Sequence, residues 1–385
     1  MKALVVSLFA IETNTSVSIS NYGIITGLLD LGYEVTVLMP TINNELSYFD
    51  DTYKLNNVKI LRVKNENLAS KVVEHSINSS KMEKKLINLM RFIYNKFQIF
   101  DKTKMLMKEA NNIKLDEYYD VVMSTSDPKT SHIFLKKMID RGLKYGKWIQ
   151  HWGDPLSGDI SKNNIYPEII IKRIEKSILR NADKIIYVSP FTLDDQMKKH
   201  SELAEKMFFV PLPCIHKNNI NTTNKNNKLK IVYLGDYNSS VRNILPLYNS
   251  CRKMKFADLT IAGNSNLKLK NLDNIHILPR VSQSMVKELE NESDVIVAIG
   301  NKKGTQIPGK IYYAASSNKP IVFVADGDNS KNIIKYLDTF DRYICCTNDE
   351  KSILQCLSRI NNNYVTYSEV PEILKAVNVA KNIIE

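Results

Sequence analysis

The residues of this 385-residue chain best suited to chemistry fall in a few short segments, each following a buried-strand pattern. The first is GTQIPGKIYYAASSNKP, residues 304–320. Pro308 fits the first turn of a helix, where its fixed φ is already helical and its missing N–H is not needed. Gly309 lets a ligand approach the backbone. Lys310 then sets a cation beside the N–H groups of a helix start, with Lys302 and Lys303 just before it. That combination is an anion site of the diphosphate-binding kind; the other reading is a plain loop-to-helix junction with solvated lysines. The second segment is YLGDYNSSVRN, in which Gly235 ends a strand tightly and Arg242 lies near the next helix. A guanidinium there can clamp a phosphate through two parallel hydrogen bonds, or it is an ordinary surface arginine. The third is KWIQHWGDPLSGD, residues 147–159. Its strand is expected to deliver His151, Trp152 and Asp154 to a loop at the catalytic edge of a sheet. His151 can act as acid, base or donor near neutral pH, and Trp152 offers an apolar face on which a sugar can stack. The alternative is a structural turn with Trp152 in the core. The turn Ser124-Thr125-Ser126-Asp127-Pro128 also follows a strand, so Asp127 can line the same site or cap the next helix.

Two other segments exclude chemistries. Asp326-Gly327-Asp328 has the look of a metal-binding pair but reads better as a tight turn, so no metal is expected. The first strand-to-helix turn, residues 7–22, has no G-x-G-x-x-G, which argues against a dinucleotide dehydrogenase.

Short apolar runs at 3–9, 34–39, 58–63, 121–124, 147–150 and 185–189 read as strands, and the stretches 129–144, 166–181 and 192–205 as helices. Continuous apolar runs suit parallel strands covered on both faces. The polar stretch HKNNINTTNKNNK, residues 216–228, cannot bury much surface and reads as a linker. A second series of strands begins at once, at 229–235, 259–263, 275–278, 295–299, 320–324 and 343–345. The expected fold is therefore α/β, with two doubly wound, Rossmann-like domains at 1–215 and 229–370 facing across a cleft. The closing helical segment, 371–385, can pack back on the first domain.

Composition is that of a globular chain, with 43% hydrophobic and 24% charged residues, but the net charge is +12. Nucleic acid, an anionic membrane surface or a phosphorylated substrate could answer that charge. No nucleic-acid motif is present. Much of the charge lies in residues 81–108, where Lys84, Lys85, Arg91 and Lys96 alternate with apolar residues. A basic amphipathic helix of this kind can lie on an anionic bilayer, or it can bury its apolar face inside the protein. The cysteines, Cys214, Cys251, Cys345, Cys346 and Cys356, are odd in number and contain no C-x-x-C pair, which suits a reducing cytoplasm.

The order of the pieces resembles the GT-B glycosyltransferases, in particular the bacterial family 4-like enzymes of capsule, exopolysaccharide and O-antigen assembly. The resemblance rests on YYDVVMSTSDPKTSH, KWIQHWGDP and IEKSILRNADKIIYVSP in the first half. In the second half it rests on IVYLGDYNSSVRN, LTIAG and IPGKIYYAASSNKPIVFV. It implies that the second domain holds a nucleotide-sugar, most simply a UDP-sugar, and the first an acceptor. Arg242, Lys303, Gly309 and Lys310 would face the donor diphosphate, and Gly235, Gly263, Thr305, Gln306 and Tyr313 the rest of the donor. His151, Asp154 and Asp127 would be the catalytic candidates. The sequence departs from the family pattern where Asp236 replaces a donor-site arginine and where Thr305 and Tyr313 occupy the positions of two glutamates. The implied activity is metal-independent transfer of a hexosyl group, without a cofactor, to a lipid-linked glycan at the cytoplasmic face of the plasma membrane. A non-catalytic partner protein and an inverting galactofuranosyltransferase-like enzyme, suggested by the QIPGKI segment, are the alternatives.

Overall fold

The computed structural model describes residues 1–64, 96–160, 165–215, 228–367 and 369–385. Lys84, Lys85 and Arg91 of the expected membrane-facing segment lie outside them, as does all of the expected linker except Lys228. The chain forms two compact units, one of Met1–Val210 with Val379–Glu385, the other of Pro211–Asn378.

The first unit is a seven-stranded parallel sheet of β1 (Lys2–Val6), β2 (Glu34–Pro40), β3 (Lys59–Val63), β4 (Tyr118–Ser126), β5 (Lys144–Trp152), β6 (Lys184–Tyr187) and β7 (Met207–Phe209), in the order β3-β2-β1-β4-β5-β6-β7. Its helices include α1 (Ser16–Asp30), α2 (Thr130–Asp140), α3 (Glu168–Leu179) and α4 (Pro190–Lys199). β1 shows why its strands read as unbroken apolar runs. Successive side chains of a strand face opposite sides of the sheet. Ala3 and Val5 enter one core with Ile24, Ile25 and Leu28 of α1, whereas Leu4 and Val6 enter another with Phe134 and Leu135 of α2. Both faces are covered, so no polar alternation survives.

The second unit is a six-stranded parallel sheet of β8 (Leu229–Leu234), β9 (Ala257–Ala262), β10 (Ile275–Leu278), β11 (Val295–Ile299), β12 (Ile321–Ala325) and β13 (Tyr343–Thr347), in the order β10-β9-β8-β11-β12-β13. Around it run α5 (Leu245–Lys253), α6 (Gln283–Glu292), α7 (Lys310–Tyr313), α8 (Ser330–Asp338) and α9 (Glu350–Asn362). Strand order reverses between β1 and β4 in the first unit and between β8 and β11 in the second. Loops leaving the carboxyl ends of those strands are where such sheets bind ligands.

The last helix, α10 (Ala376–Ile384), brings Val379, Ala380 and Ile383 into the core of the first unit with no exposed surface. Lys147 and Lys184 donate to its final carbonyls, Ile384 O at 2.9 Å and Asn382 O at 2.9 Å. These cations satisfy acceptors that a helix end leaves open.

Candidate functional site

In the second unit the candidate donor residues gather on the loops after β8 and β11. The β8 loop turns at Gly235, whose N–H donates to Ala262 O at 2.7 Å. A Cβ at Gly235 would stand 2.8 Å from Lys310 Cε and 3.0 Å from its Nζ, so the glycine makes room for the lysine side chain. A Cβ at Gly263 would stand 2.1 Å from Gly235 O, so the second glycine lets the ends of β8 and β9 close together. Arg242 is held by two hydrogen bonds, Nε to Asn301 Oδ1 at 3.1 Å and Nη1 to Asp236 O at 3.1 Å. The Arg242–Asn301 bond ties the two loops together, and Asn301 in turn donates to Gln306 O at 3.1 Å within its own loop. Lys302 completes the tie, its N–H donating to Val241 O at 2.8 Å and its Nζ to Ser239 O at 2.9 Å. Thr305 is half-buried, Gln306 and Tyr313 are buried, and Lys303 is exposed on the same loop.

Lys310 is exposed, with its side chain lying against the Gly235 turn. Desolvation by the surrounding protein, helped by Arg242 and Arg280, pulls its ammonium down to about 8 against the opposing pull of Glu290 and Asp236. Glu290, on α6, is pushed up to about 7 by desolvation, although Lys310, Lys319 and Lys287 attract it. The cations therefore crowd one turn, where their summed charge favours a bound anion.

Two features of this site differ from expectation. Lys310 opens a helix of only four residues, α7, which passes into a 3-10 turn at Ala314–Ser316. Its N–H groups are partly used internally, Ile311 N donating to Pro308 O and Tyr312 N to Gly309 O, both at 3.1 Å. So short a helix has little macrodipole, and any anion held here is held by side-chain charge. At and beyond this turn the buried Arg342 guanidinium donates to the carbonyls of Ala315, Ser317 and Lys319. The second feature is Arg280, from the loop after β10, which sequence reasoning missed. It ion-pairs with Asp236, whose Oδ1 also accepts from Asn264 N at 2.8 Å. The Asp236 carboxylate thus brings in another cation, 44 residues further along the chain. Only the fold places them together.

In the first unit β5 continues through His151 and Trp152, which pair with Thr125 and Ser126 of β4 and with Ile186 and Tyr187 of β6. Both residues were expected in a loop, but strands on either side carry the ladder on to Trp152. Trp152 is fully buried. Its ring stacks on His132 at 4.3 Å and its Nε1 donates to Gln150 Oε1 at 3.1 Å, so it is a core side chain and not a sugar platform. His151 is 2% exposed and burial holds it down to about 4, leaving a neutral imidazole. Neither of its ring nitrogens, nor Oγ1 of the adjacent Thr125, has a hydrogen-bond partner among the described residues. Such buried vacancies are unusual and mark places where a ligand or solvent group can be received.

Beyond β4 and β5, Lys129 forms ion pairs with Asp127 at 2.6 Å and Asp159 at 2.8 Å. Burial opposes its charge, but Asp127, Asp159 and Asp154 outweigh burial and hold the ammonium protonated well above the usual lysine range. Asp127 and Asp154 are partly exposed over this buried cation, whereas Asp159 is buried. Lys129 looked like an unremarkable helix start in the sequence. The loop that carries Asp154 is fixed from beneath by the fully buried Glu175, which accepts from Ser157 N at 3.2 Å, from Leu156 N and from Ser157 Oγ. A cavity of about 360 Å³ lies at the ends of β1 and β2, lined by Leu8, Phe9, Thr13, Ile42, Asn43 and Tyr48 among others, none of them charged.

Among the described residues no group of three or more His, Cys, Asp or Glu lies close enough to hold a metal ion. Among the same residues no helix is long and apolar enough to cross a membrane.

No protein-family model matches the chain, and no curated protein sequence matches it. Solved structures do. A sucrose-phosphate synthase from Thermosynechococcus elongatus aligns over 100% of this chain and 94% of its own, with a TM-score of 0.56 at 12% identity. A glycosyltransferase from Rickettsia africae aligns over 100% and 93%, with a TM-score of 0.56 at 13% identity. Anabaena HepE in complex with UDP-glucose aligns over 100% and 96%, with a TM-score of 0.58 at 10% identity. At such identities the likeness is one of fold. The chain has the two-unit parallel α/β fold of the GT-B glycosyltransferases.

Proposed function

We propose that this protein is a metal-independent glycosyltransferase that takes a hexosyl group from a nucleotide-sugar, most simply a UDP-sugar. The acceptor is a lipid-linked glycan in bacterial cell-surface polysaccharide assembly, at the cytoplasmic face of the membrane. The observation that carries the reading is the group of Lys310, Arg242 and Arg280 around the Gly235–Asp236 turn, at the point of the second sheet where ligands bind. The nucleoside diphosphate leaves with increased negative charge on its phosphate oxygens. Cations already in place stabilise that charge without reorganising, which is usually the largest catalytic contribution. The Anabaena protein of this fold is described with UDP-glucose bound, and that supports a UDP-sugar here. The first unit takes the acceptor, whose uncharged end suits the neutral, partly apolar cavity at β1 and β2. In this reading Asp154 and Asp127 accept the hydroxyl proton, and neutral His151 donates or accepts a hydrogen bond.

A thermal-shift panel of UDP, GDP, CMP and dTDP, each free and as its sugar, tests the reading. One nucleotide series should raise the melting temperature by several degrees, since a ligand that binds only the folded state stabilises it. A flat response throughout would remove the enzyme reading and favour a non-catalytic partner protein.

A further inference from the structure

We infer that the amino-terminal end of α3, together with the segment around Phe97, is a docking surface for an anionic lipid bilayer. Phe97 is 56% exposed, Ile165 51%, Ile169 59% and Ile170 38%. Exposed apolar side chains scattered singly need no explanation, but these are neighbours. Ile165 N donates to Lys96 O at 3.1 Å and Tyr166 Oη to Phe97 O at 3.2 Å, so the two segments lie side by side, and α3 begins two residues later.

The helix adds charge to this apolar end. Ile169, Arg173, Lys176 and Arg180 follow one another at helical spacing and share a face. Arg173 and Arg180 are exposed and form no ion pair among the described residues. Lys176 pairs with Glu202 at 2.5 Å, and the opposite face is buried through Ile171, Ile178 and Leu179. Bulky apolar groups flanked by unpaired arginines fit a surface of phosphate headgroups over acyl chains. The apolar groups enter the interface while the cations remain at headgroup level. A basic protein surface alone would suit many polyanions; the apolar part selects a membrane. This deepens the lipid-linked acceptor reading above and rests on it for its purpose, because a transferase docked in this way meets its acceptor in two dimensions.

The test is flotation of the full-length protein with vesicles of phosphatidylglycerol and phosphatidylcholine, and with vesicles of phosphatidylcholine alone. The wild type should float with the anionic vesicles and much less with the neutral ones. The double variant Phe97→Glu/Ile169→Glu should lose about tenfold or more of that binding, while Ile373→Glu, at an exposed apolar site in the second unit, should retain it. Nucleotide-induced thermal stabilisation should be unchanged in the double variant, which shows that it is folded and keeps the donor site. Equal flotation of the wild type and the double variant would overturn the proposal, as would failure of the wild type to float. A dimer in solution that Ile169→Glu dissociates would also overturn it, by assigning the surface to a second copy. In each of these cases intact nucleotide stabilisation leaves the transferase reading standing.

Discussion

A lysine ammonium held near 8 is a charge that a small rise in pH removes. Lys310 is that group, and its neighbours explain the value: desolvation and two arginines lower it, and two carboxylates raise it. A bound diphosphate favours the protonated form, so binding lifts the lysine's pKa above its free value. Nucleotide affinity is then fully present below about pH 8 and falls as pH rises beyond it. Lys310→Arg should abolish that fall, because the guanidinium stays charged. Lys310→Ala and Arg242→Ala should each weaken binding about ten- to hundredfold, the range for losing a charge-assisted hydrogen bond. Calorimetric titrations between pH 7 and 9.5 check both statements. Lys310 and Arg242 are expected from the sequence because each lies on a loop that follows a strand signal. Arg280 and Lys129 are not, since Asp236 and Asp159 lie far away in sequence and nothing local shows that Lys129 is buried between Asp159 and nearby Asp127. Trp152 was misread because aromatic and polar residues at a strand end resemble a binding loop until both neighbouring strands are known.

At the scale of elements, the strands were legible because parallel sheets covered on both faces require unbroken apolar runs, and β7, three residues long, was too short to show. Helix α7 was half-legible. Its apolar and tyrosine residues suggest a longer helix, but the chain tightens into a 3-10 turn at Ala314–Ser316, at and beyond which buried Arg342 takes the carbonyls of Ala315 and Lys319. Gly263 offers a sharp check on how the elements shape the site. Its missing Cβ would meet a backbone oxygen, which cannot rotate away. Gly263→Ala should lower stability by about 1–3 kcal/mol, in the range of overpacking, and should weaken nucleotide binding by displacing the Gly235 turn. Denaturant unfolding and nucleotide titration of the same variant measure the two effects.

For the whole molecule, the chain closes on itself: its last residues complete the core of the unit formed by its first. Ile383 is fully buried there among residues of the first sheet and α1. Ile383→Ala should destabilise that unit by about 2–4 kcal/mol, the usual result of emptying a core position. Limited proteolysis should then cut the first unit faster while sparing the second. The net charge of +12 also finds its place at this scale. Part of it surrounds the Gly235 turn and part faces outward from α3, the two places where a diphosphate and a membrane are proposed to bind.

The most direct measurement is an isothermal titration of the wild-type protein with UDP and UDP-sugars at pH 7, repeated on the Lys310→Ala/Arg242→Ala double variant. Saturable binding of about one UDP per chain by the wild type, lost in the double variant, is the predicted result. Absence of binding by the wild type, or undiminished binding by the double variant, would contradict the assignment of this turn as the donor site.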